Sequence, residues 1–563
     1  MRRWQTPLAV LSFILGMAGY LLNLSAAGQG ITTQPVLDAV FFTFKLFAGV
    51  APMQITGDSA LGVVCLNIAR FTAPATLIIA FLRHFDDLWR PAMIRFRLRR
   101  LLQFDVIVGA GQVADDLLAR NAEDSRWSIH VLGGSDEAPK SGIDWDPKAR
   151  IIRLTGEALH RITRRRPLVP ETIVFADECD LVNIQTAENF DRDRVTANCE
   201  LAHIGGEDLR LDTIAAGGTR ASGNGQRTQV FSTHELAARG YFHTNDVFMG
   251  AVARGQAALH LAIVGFSDDA AALVYHTLKI APFPDLDPVR ITIFASDPAE
   301  VSSRLQARLQ GTDLLDQIQV RPCTTYAAMA PLVDAMAAEN DLTMWYLSEA
   351  SLAGAYGRAI GVAQRVRQVA AGRAQVVLPL TGKALAFVKS LPGNADGAVR
   401  CLCDSLAPLS HQSLAGEMDA LARRIHAAYQ GYKVITDPED ERRQLEDWYA
   451  LEENFKAANR RAADATKTKL EALGVGGALA DLLDRKVSLP PLDPARLEAL
   501  SRAEHLSWAA DRWINGWRFA SERDNTRRLH PDLVPFEDLS EPVKELDRKQ
   551  VENVLSRLHL SSG

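Results

Sequence analysis

Three clusters of residues carry side chains or backbone geometry suited to chemistry. The first is Gly109-Ala110-Gly111-Gln112-Val113-Ala114, which follows Phe104-Asp105-Val106-Ile107-Val108, read as a buried strand, and opens a helical stretch to Arg120. A strand, a G-x-G-x-x-A turn and a helix suit phosphate binding. Gly109 and Gly111 permit the tight turn and close approach of a phosphate to the helix N-terminus, and Ala114 permits close helix–strand packing. The second cluster lies near the C-terminus: Trp508, Arg512, Trp517, Arg523, Asp524, Arg528 and His530, with Trp513 and Arg527 among them. Flat aromatic surfaces beside arginines suit a planar anion such as an adenine nucleotide. The bland alternative is a tryptophan core with solvated arginines, and for Trp508 alone that is the better reading. The third is a set of polar residues inside or beside apolar runs near the N-terminus: Thr43, Lys45, Gly49, Asp58, Arg70 and Pro74. A charge at membrane depth faces a partner or a wet cavity. Arg70 therefore pairs with Asp38 or Asp58, lines a pore, or sits at the outer interface. Pro74 is a candidate helix kink.

The elements positioning these residues can be read in chain order. Pro7–Leu24 and Leu61–Leu82 are apolar and long enough to cross a bilayer. A signal peptide is the rival reading of the first, but the second run follows too closely and no clean cleavage site precedes a soluble domain. Arg2 and Arg3 precede the first run. Arg83, Arg90, Arg95, Arg97, Arg99 and Arg100 follow the second, and the loop between holds Lys45. The positive-inside bias places both termini in the cytoplasm. Val36–Val50 is apolar and too short to span, as re-entrant segments are.

After the glycine turn, strands are expected at Ser128–Leu132, Arg150–Leu154 and Thr172–Ala176. The acidic residue usual at the end of the second strand is replaced by Gly133-Gly134, with Asp136 beyond. A second cycle runs from Leu261–Val264 through the single-glycine turn at Gly265 to Val289–Phe294 and Asp297, with strands near Gln317–Val320, Thr343–Leu347 and Gln375–Leu378. Asp268 and Asp269 at its helix start would repel a phosphate, so the first copy is the better nucleotide candidate. Both copies serving as structural platforms is the alternative. Residues 412–475 read as helical, with Trp448, Leu451, Phe455, Ala458 and Ala462 on one face, and Leu489–Pro494 reads as a linker.

Three resemblances attach to these residues. Asp38-Ala39-Val40-Phe41-Phe42-Thr43 resembles the start of a potassium-channel pore helix. The following Ala48-Gly49-Val50-Ala51-Pro52-Met53 is not the TVGYG filter whose carbonyls coordinate potassium. Residues 101–245 resemble RCK domains, cytoplasmic Rossmann domains that regulate potassium conductance. Thr228–Ser232 and Glu235–Arg239 look like the end of such a domain. This resemblance implies nucleotide or ion binding and ring assembly. Residues 498–560 are similar to the RyR domain of ryanodine receptors and some bacterial proteins, through Glu504-His505, Trp508, Arg512, Gly516-Trp517, Arg523-Asp524, Arg527-Arg528, His530-Pro531 and Asp547-Arg548.

The chain has 563 residues, 47% apolar and 23% charged, with mean hydropathy near zero. These totals exclude a polytopic transporter and allow about three to four domains. A net charge of −6 argues against nucleic acid as the main partner. Cys65, Cys179, Cys199, Cys323, Cys401 and Cys403 are scattered, as reduced cysteines in a cytosolic setting are. The fold expectation is α/β: a two-transmembrane-helix module over 1–100 and tandem doubly wound Rossmann-like domains over 101–250 and 256–400. A helical connector over 410–485 and a small α-helical RyR domain over 490–563 complete it. The functional expectation is a ligand-regulated, channel-like protein in the inner membrane of a bacterium. It is expected to form a homo-oligomer, a tetramer by the RCK resemblance, to take an adenine nucleotide or NAD(H) as regulatory ligand, and not to be an enzyme. A non-conducting membrane-anchored sensor is the alternative, and a membrane-tethered NAD(P)-dependent oxidoreductase the third choice.

Overall fold

A computed structural model describes residues 5–28, 30, 32–50, 59–98, 104–133, 143–164, 167–197, 199–218, 228–323, 331, 334, 336, 342–348, 365, 374–379, 399–401, 419–429, 438–484 and 489–560. The chain divides into two compact units, Met1–Leu102 and Gln103–Gly563.

The first unit holds α1 (Gln5–Ala26), α2 (Thr33–Phe47) and α3 (Ala60–Leu98). Pro7–Ala26 and Ala60–Phe81 are long and apolar enough to cross a membrane. At 1.5 Å per residue, the fifteen-residue α2 reaches only about 22 Å, less than a hydrocarbon core. Small residues let the helices approach. A Cβ added at Gly19 would come 2.7 Å from Leu66, and one at Gly16 would come 2.7 Å from Thr43. A hydrogen bond from Ser12 Oγ to Thr72 Oγ1 (2.8 Å) and another from the Ser59 amide to Asn23 Oδ1 (3.2 Å) join α1 to α3 and to its entry. The outer face stays apolar: Ile14, Phe44, Phe71, Ile78 and Phe81 are exposed, which suits lipid or a neighbouring subunit. The helix α3 continues through Pro74 and on to Leu98, well past the apolar run.

The second unit opens with a seven-stranded sheet. Its elements are β1 (Phe104–Val108), α4 (Gln112–Glu123), β2 (Trp127–Leu132), β3 (Ile143–Asp146), β4 (Ile151–Thr155), α5 (Gly156–Thr163), β5 (Thr172–Phe175), α6 (Asp180–Asn189), β6 (Cys199–His203), α7 (Glu207–Ala215) and β7 (Gln229–Phe231). The strand order is β3-β4-β2-β1-β5-β6-β7, parallel except for β3 on β4. Order reverses between β1 and β5, the switch point where doubly wound sheets bind ligands. The helices α8 (Thr233–Thr244) and α9 (Val247–Ala253) lead to a second sheet. That sheet comprises β8 (Ala258–Val264), α10 (Asp268–Ile280), β9 (Asp287–Ala295), α11 (Pro298–Leu309), β10 (Ile318–Pro322), β11 (Leu342–Leu347), β12 (Gln375–Leu378) and β13 (Val399–Cys401). Its order is β10-β9-β8-β11-β12-β13, all parallel. The tandem doubly wound pattern is therefore present.

The C-terminal part is helical: α12 (Ala420–Tyr429), α13 (Pro438–Ala450), α14 (Glu453–Ala472), α15 (Leu479–Asp484), α16 (Pro494–Ile514) and α17 (Glu541–Leu560). A short pair, β14 (Arg518–Phe519) and β15 (Leu529–His530), follows α16. The expected single apolar face through Trp448 and Phe455 is not formed. The chain breaks helix at Leu451-Glu452, so Trp448 is buried on α13 while Phe455 is 37% exposed on α14. Instead α14 is buried almost all round, and its charges are answered by carboxylates and cations on its neighbours. Arg460 bonds Asp419 at 2.7 Å and also Glu453. Asp464 accepts from Arg239 and His243 of α8, both at 2.8 Å. Lys467 reaches Asp246, and Lys469 reaches Glu504 of α16 at 2.6 Å. Arg461 meets the same Glu504 at 2.9 Å.

Burial would raise the Glu504 carboxyl, but Arg461 and Lys469 overcome it and hold it down to about 2. A depressed carboxylate stabilises the fold above its ordinary range near 4.5 and loses that contribution as pH falls toward 2. Glu504→Gln strands two buried cations and should cost about 3–5 kcal/mol in chemical denaturation at neutral pH. The gap to the unmodified protein should narrow as pH drops below about 4. A cost under about 1 kcal/mol would show that water, not Glu504, satisfies these cations.

Candidate functional site

The glycine turn of the first Rossmann sheet sits at the switch point. Gly109 has φ +112° and Gly111 φ +138°, conformations that disfavour any side chain. Space imposes the same choice. A Cβ at Gly109 would lie 2.6 Å from the Asp177 amide nitrogen, and one at Gly111 would lie 2.4 Å from Glu178 Cγ. The turn is tight because the loop after β5 folds over it: the Glu178 amide donates to the Ala110 carbonyl at 3.0 Å. Ala114 is fully buried where α4 meets the sheet.

The surroundings are acidic. The Ala110 amide, between the two glycines of the turn, donates to Asp177 Oδ2 at 3.4 Å. Asp180 occupies the amides of Gly205 (2.9 Å) and Gly206 (2.7 Å) at the start of α7. Asp115 and Asp116 stand in the opening turns of α4, and burial raises the Asp116 carboxyl. The terminal acid of β2 is absent, since Gly133 follows Leu132; Asp136 lies outside the described residues. Beginning at Val108, immediately before the turn, a cavity of about 470 Å³ runs between α5 and α6. Val108, Val131 and Leu132 form its floor, and Gln185, Asn189 and Arg194 supply polar groups. That volume admits a nucleoside-sized molecule.

The second copy is closed. Gly265 has φ +84°, and a Cβ there would lie 2.0 Å from the Ser348 carbonyl oxygen, so protein backbone fills the space above this turn. The carboxylate of Asp269 accepts from Tyr346 Oη at 2.6 Å and from Ser348 Oγ at 3.1 Å. Asp297 caps α11 by accepting from the Glu300 amide at 3.0 Å. Gly265 and Asp297 thus have local structural duties.

In the C-terminal module, Trp508, Arg512, Trp517 and His530 come together. Arg512 lies 5.0 Å from the Trp517 ring centroid and 5.9 Å from that of Trp508, and Trp508 meets His530 edge-on at 5.0 Å. Trp517 packs with Ala509 and Leu533 in a small core. Burial lowers the His530 pKa, Asp532 opposes, and Arg523 and Arg512 add to the lowering. Asp524 accepts the amides of Thr526 and Arg527, both at 3.0 Å, and so shapes the loop. Arg523 is exposed, bonded to Asn525, beside a polar cavity of about 600 Å³ that Arg527 also lines. Arg528 lies apart from these four. Its guanidinium leaves the cluster and donates to the Ala215 carbonyl at the C-terminal end of α7 and to Asn515. Helix C-termini attract cations, so Arg528 docks the module onto the first Rossmann domain.

In the first unit, Thr43 is buried against Gly16 and donates to the Ala39 carbonyl at 2.7 Å, so packing on α1 absorbs this expected pore residue. Lys45 is exposed with its ammonium 4.6 Å from the Phe41 ring centroid, and Gly49 is exposed at φ +75°. Arg70 is exposed on α3 and makes no ion pair among the described residues. Asp38 accepts from Gln34, and of the alternatives for Arg70 the pair with Asp38 is not formed. Asp58 lies outside the described residues, and Pro74 is half-buried within α3.

A model of the RyR domain matches residues 483–562. Among solved structures, the chain is similar to GsuK bound to ADP, at 13% identity over 72% of this chain and 94% of that one, with a TM-score of 0.35. It is also similar to the GsuK channel bound to NAD, at 11% identity over 74% and 83%, with a TM-score of 0.37. No curated protein matches.

If Asp177 competes with an anionic ligand for the Ala110 amide, Asp177→Asn should bind ADP about three- to tenfold more tightly by calorimetry. Unchanged or weaker binding would place the phosphates elsewhere.

Proposed function

We propose that this chain is a ligand-regulated, channel-like membrane protein, not an enzyme, whose regulatory ligand is an adenine nucleotide held by the first Rossmann domain. The base would lie on Val108, Val131 and Leu132, with the phosphates toward the turn at Gly109 and Gly111. The observation that carries the reading is one of chain continuity. The second membrane-length helix runs to Leu98, and β1, which ends in the glycine turn, begins at Phe104. A ligand that binds one state of this turn about tenfold better than another biases the conformation by about 1.4 kcal/mol, in the domain that follows the membrane helix in sequence. Assembly into a homo-oligomer, with each copy contributing one α2 segment, belongs to the same reading.

Two observations favour a second reading, a membrane-anchored sensor that does not conduct. The segment after α2 lacks a potassium filter, and Thr43 is spent on packing. Oxidoreductase activity ranks third: neither Rossmann copy is followed by a recognisable substrate domain in the sequence, and no paired Tyr/Lys or His/acid constellation stands out there.

Flux of small ions from liposomes carrying the full chain, with and without ADP or NAD, separates the first two. The expected result is nucleotide-dependent flux that changes at least about threefold in Arg70→Ala. Absence of flux under either nucleotide, in folded and oligomeric protein, contradicts conduction under these ligands and favours the anchored sensor.

A further inference from the structure

A cavity of about 720 Å³ lies away from both glycine turns, between the second Rossmann domain and the RyR-like helix α16. One wall is Leu278 and Phe283 at the end of α10, with Leu314. The opposite wall is one face of α16, where Ala499, Ala503 and Leu506 recur at helical spacing. Two features keep the walls apart. Pro282, Pro284 and Pro288 stiffen the connection from α10 to β9, and the Phe283 ring stacks on Phe248 with centroids 5.5 Å apart and planes at 5°. The facing helix offers alanines, which are too short to fill the gap. Leu506 remains 42% exposed. The volume falls in the range of preformed small-molecule sites.

Charge at the rim selects the ligand. Arg502 is bonded to Glu537 at 2.5 Å and Glu498 to Arg548 at 2.8 Å, so each of these charges is answered. Asp287 and Asp313 also line the cavity. Both are exposed, and neither carboxylate meets a cation among the described residues. The balance is negative, while the walls are apolar.

We propose that this cavity binds a drug-sized apolar molecule bearing an amine cation, its body against Leu278, Leu314 and Leu506 and its ammonium at Asp287 and Asp313. Such a molecule touches both the second Rossmann domain and the RyR-like module. It therefore stabilises their docked arrangement by its differential affinity for that arrangement. The site shares no lining residue with the cavity beside the first sheet.

The probe is dansylcadaverine, a naphthalene-type fluorophore with a primary amine, titrated into full-length protein in nanodiscs with empty nanodiscs subtracted. Anilinonaphthalene sulfonate, of similar size and opposite charge, is the comparison. Saturable dansylcadaverine binding is expected, weakened about tenfold by Ala503→Phe, which fills the cavity, and about threefold or more by Asp287→Asn with Asp313→Asn. Leu506→Gln, at an exposed side chain, should also weaken it and guards against misfolding of the larger substitution. No saturable binding, or equal affinity in all variants, overturns the site. Loss with Ala503→Phe and Leu506→Gln but not with the double Asn variant, or tighter binding of the sulfonate, overturns the cationic assignment.

Discussion

The arrangement of the large unit depends on a helix that cannot stand in water-free surroundings without its neighbours. Of the twenty residues of α14, all but Asn454, Phe455 and Ala458 are buried, and the buried set includes Lys456, Arg460, Arg461, Asp464, Lys467, Lys469 and Glu471. Taking such charges out of water costs several kcal/mol each unless partners stand ready. The partners come from three directions: Arg239 and His243 from the first Rossmann domain, Asp419 from the start of α12, and Glu504 from the RyR-like module. A buried pair is weak evidence of net stabilisation, but breaking one is expensive, so this network opposes partial separation of the parts it joins.

Further contacts reinforce the joint from other sides. Arg304 bonds Asp208 of α7 and Asp268 of α10, each at 2.6 Å, which ties the two Rossmann sheets together. Lys279 of α10 meets Asp511 of α16 at 3.3 Å, and Arg528 reaches the end of α7. The RyR-like module thus touches both sheets and α14. A ligand in the first sheet, in the cavity beside α16, or at the exposed arginines of the module acts on parts that share one set of buried charges. Coupling between such sites requires only that each ligand prefer one arrangement of that set.

The Rossmann pattern was legible because its signals are local. Phe104–Val108 is apolar but for Asp105 and Leu261–Val264 is apolar throughout, as strands buried on both faces are, and a glycine at positive φ follows each. The antiparallel β3 was missed because Ile143-Asp144-Trp145-Asp146 is half-exposed and carries little apolar signal. The role of α14 was hidden for the opposite reason. Nothing local in the sequence marks its lysines and arginines as buried, and only contacts distant in sequence reveal that they are. Of the C-terminal cluster, the RyR resemblance named the four residues that the fold brings together, but not that Arg528 turns toward Ala215, since nothing local marks a docking arginine. The cavity beside α16 was likewise invisible, because its alanines are ordinary helix formers until a facing wall is placed opposite them.

If α14 makes the Rossmann domains and the RyR-like module one cooperative body, a change at one of its buried charges reaches all of them. Hydrogen exchange on the full chain carrying Asp464→Asn reads this out. Asp464 touches the first Rossmann domain through Arg239 and His243 and has no bond to α16 among those described. Lost protection is expected in α8 and, together with it, in α16. Loss confined to α8 and the adjoining turns of α14, with α16 unchanged, would contradict it.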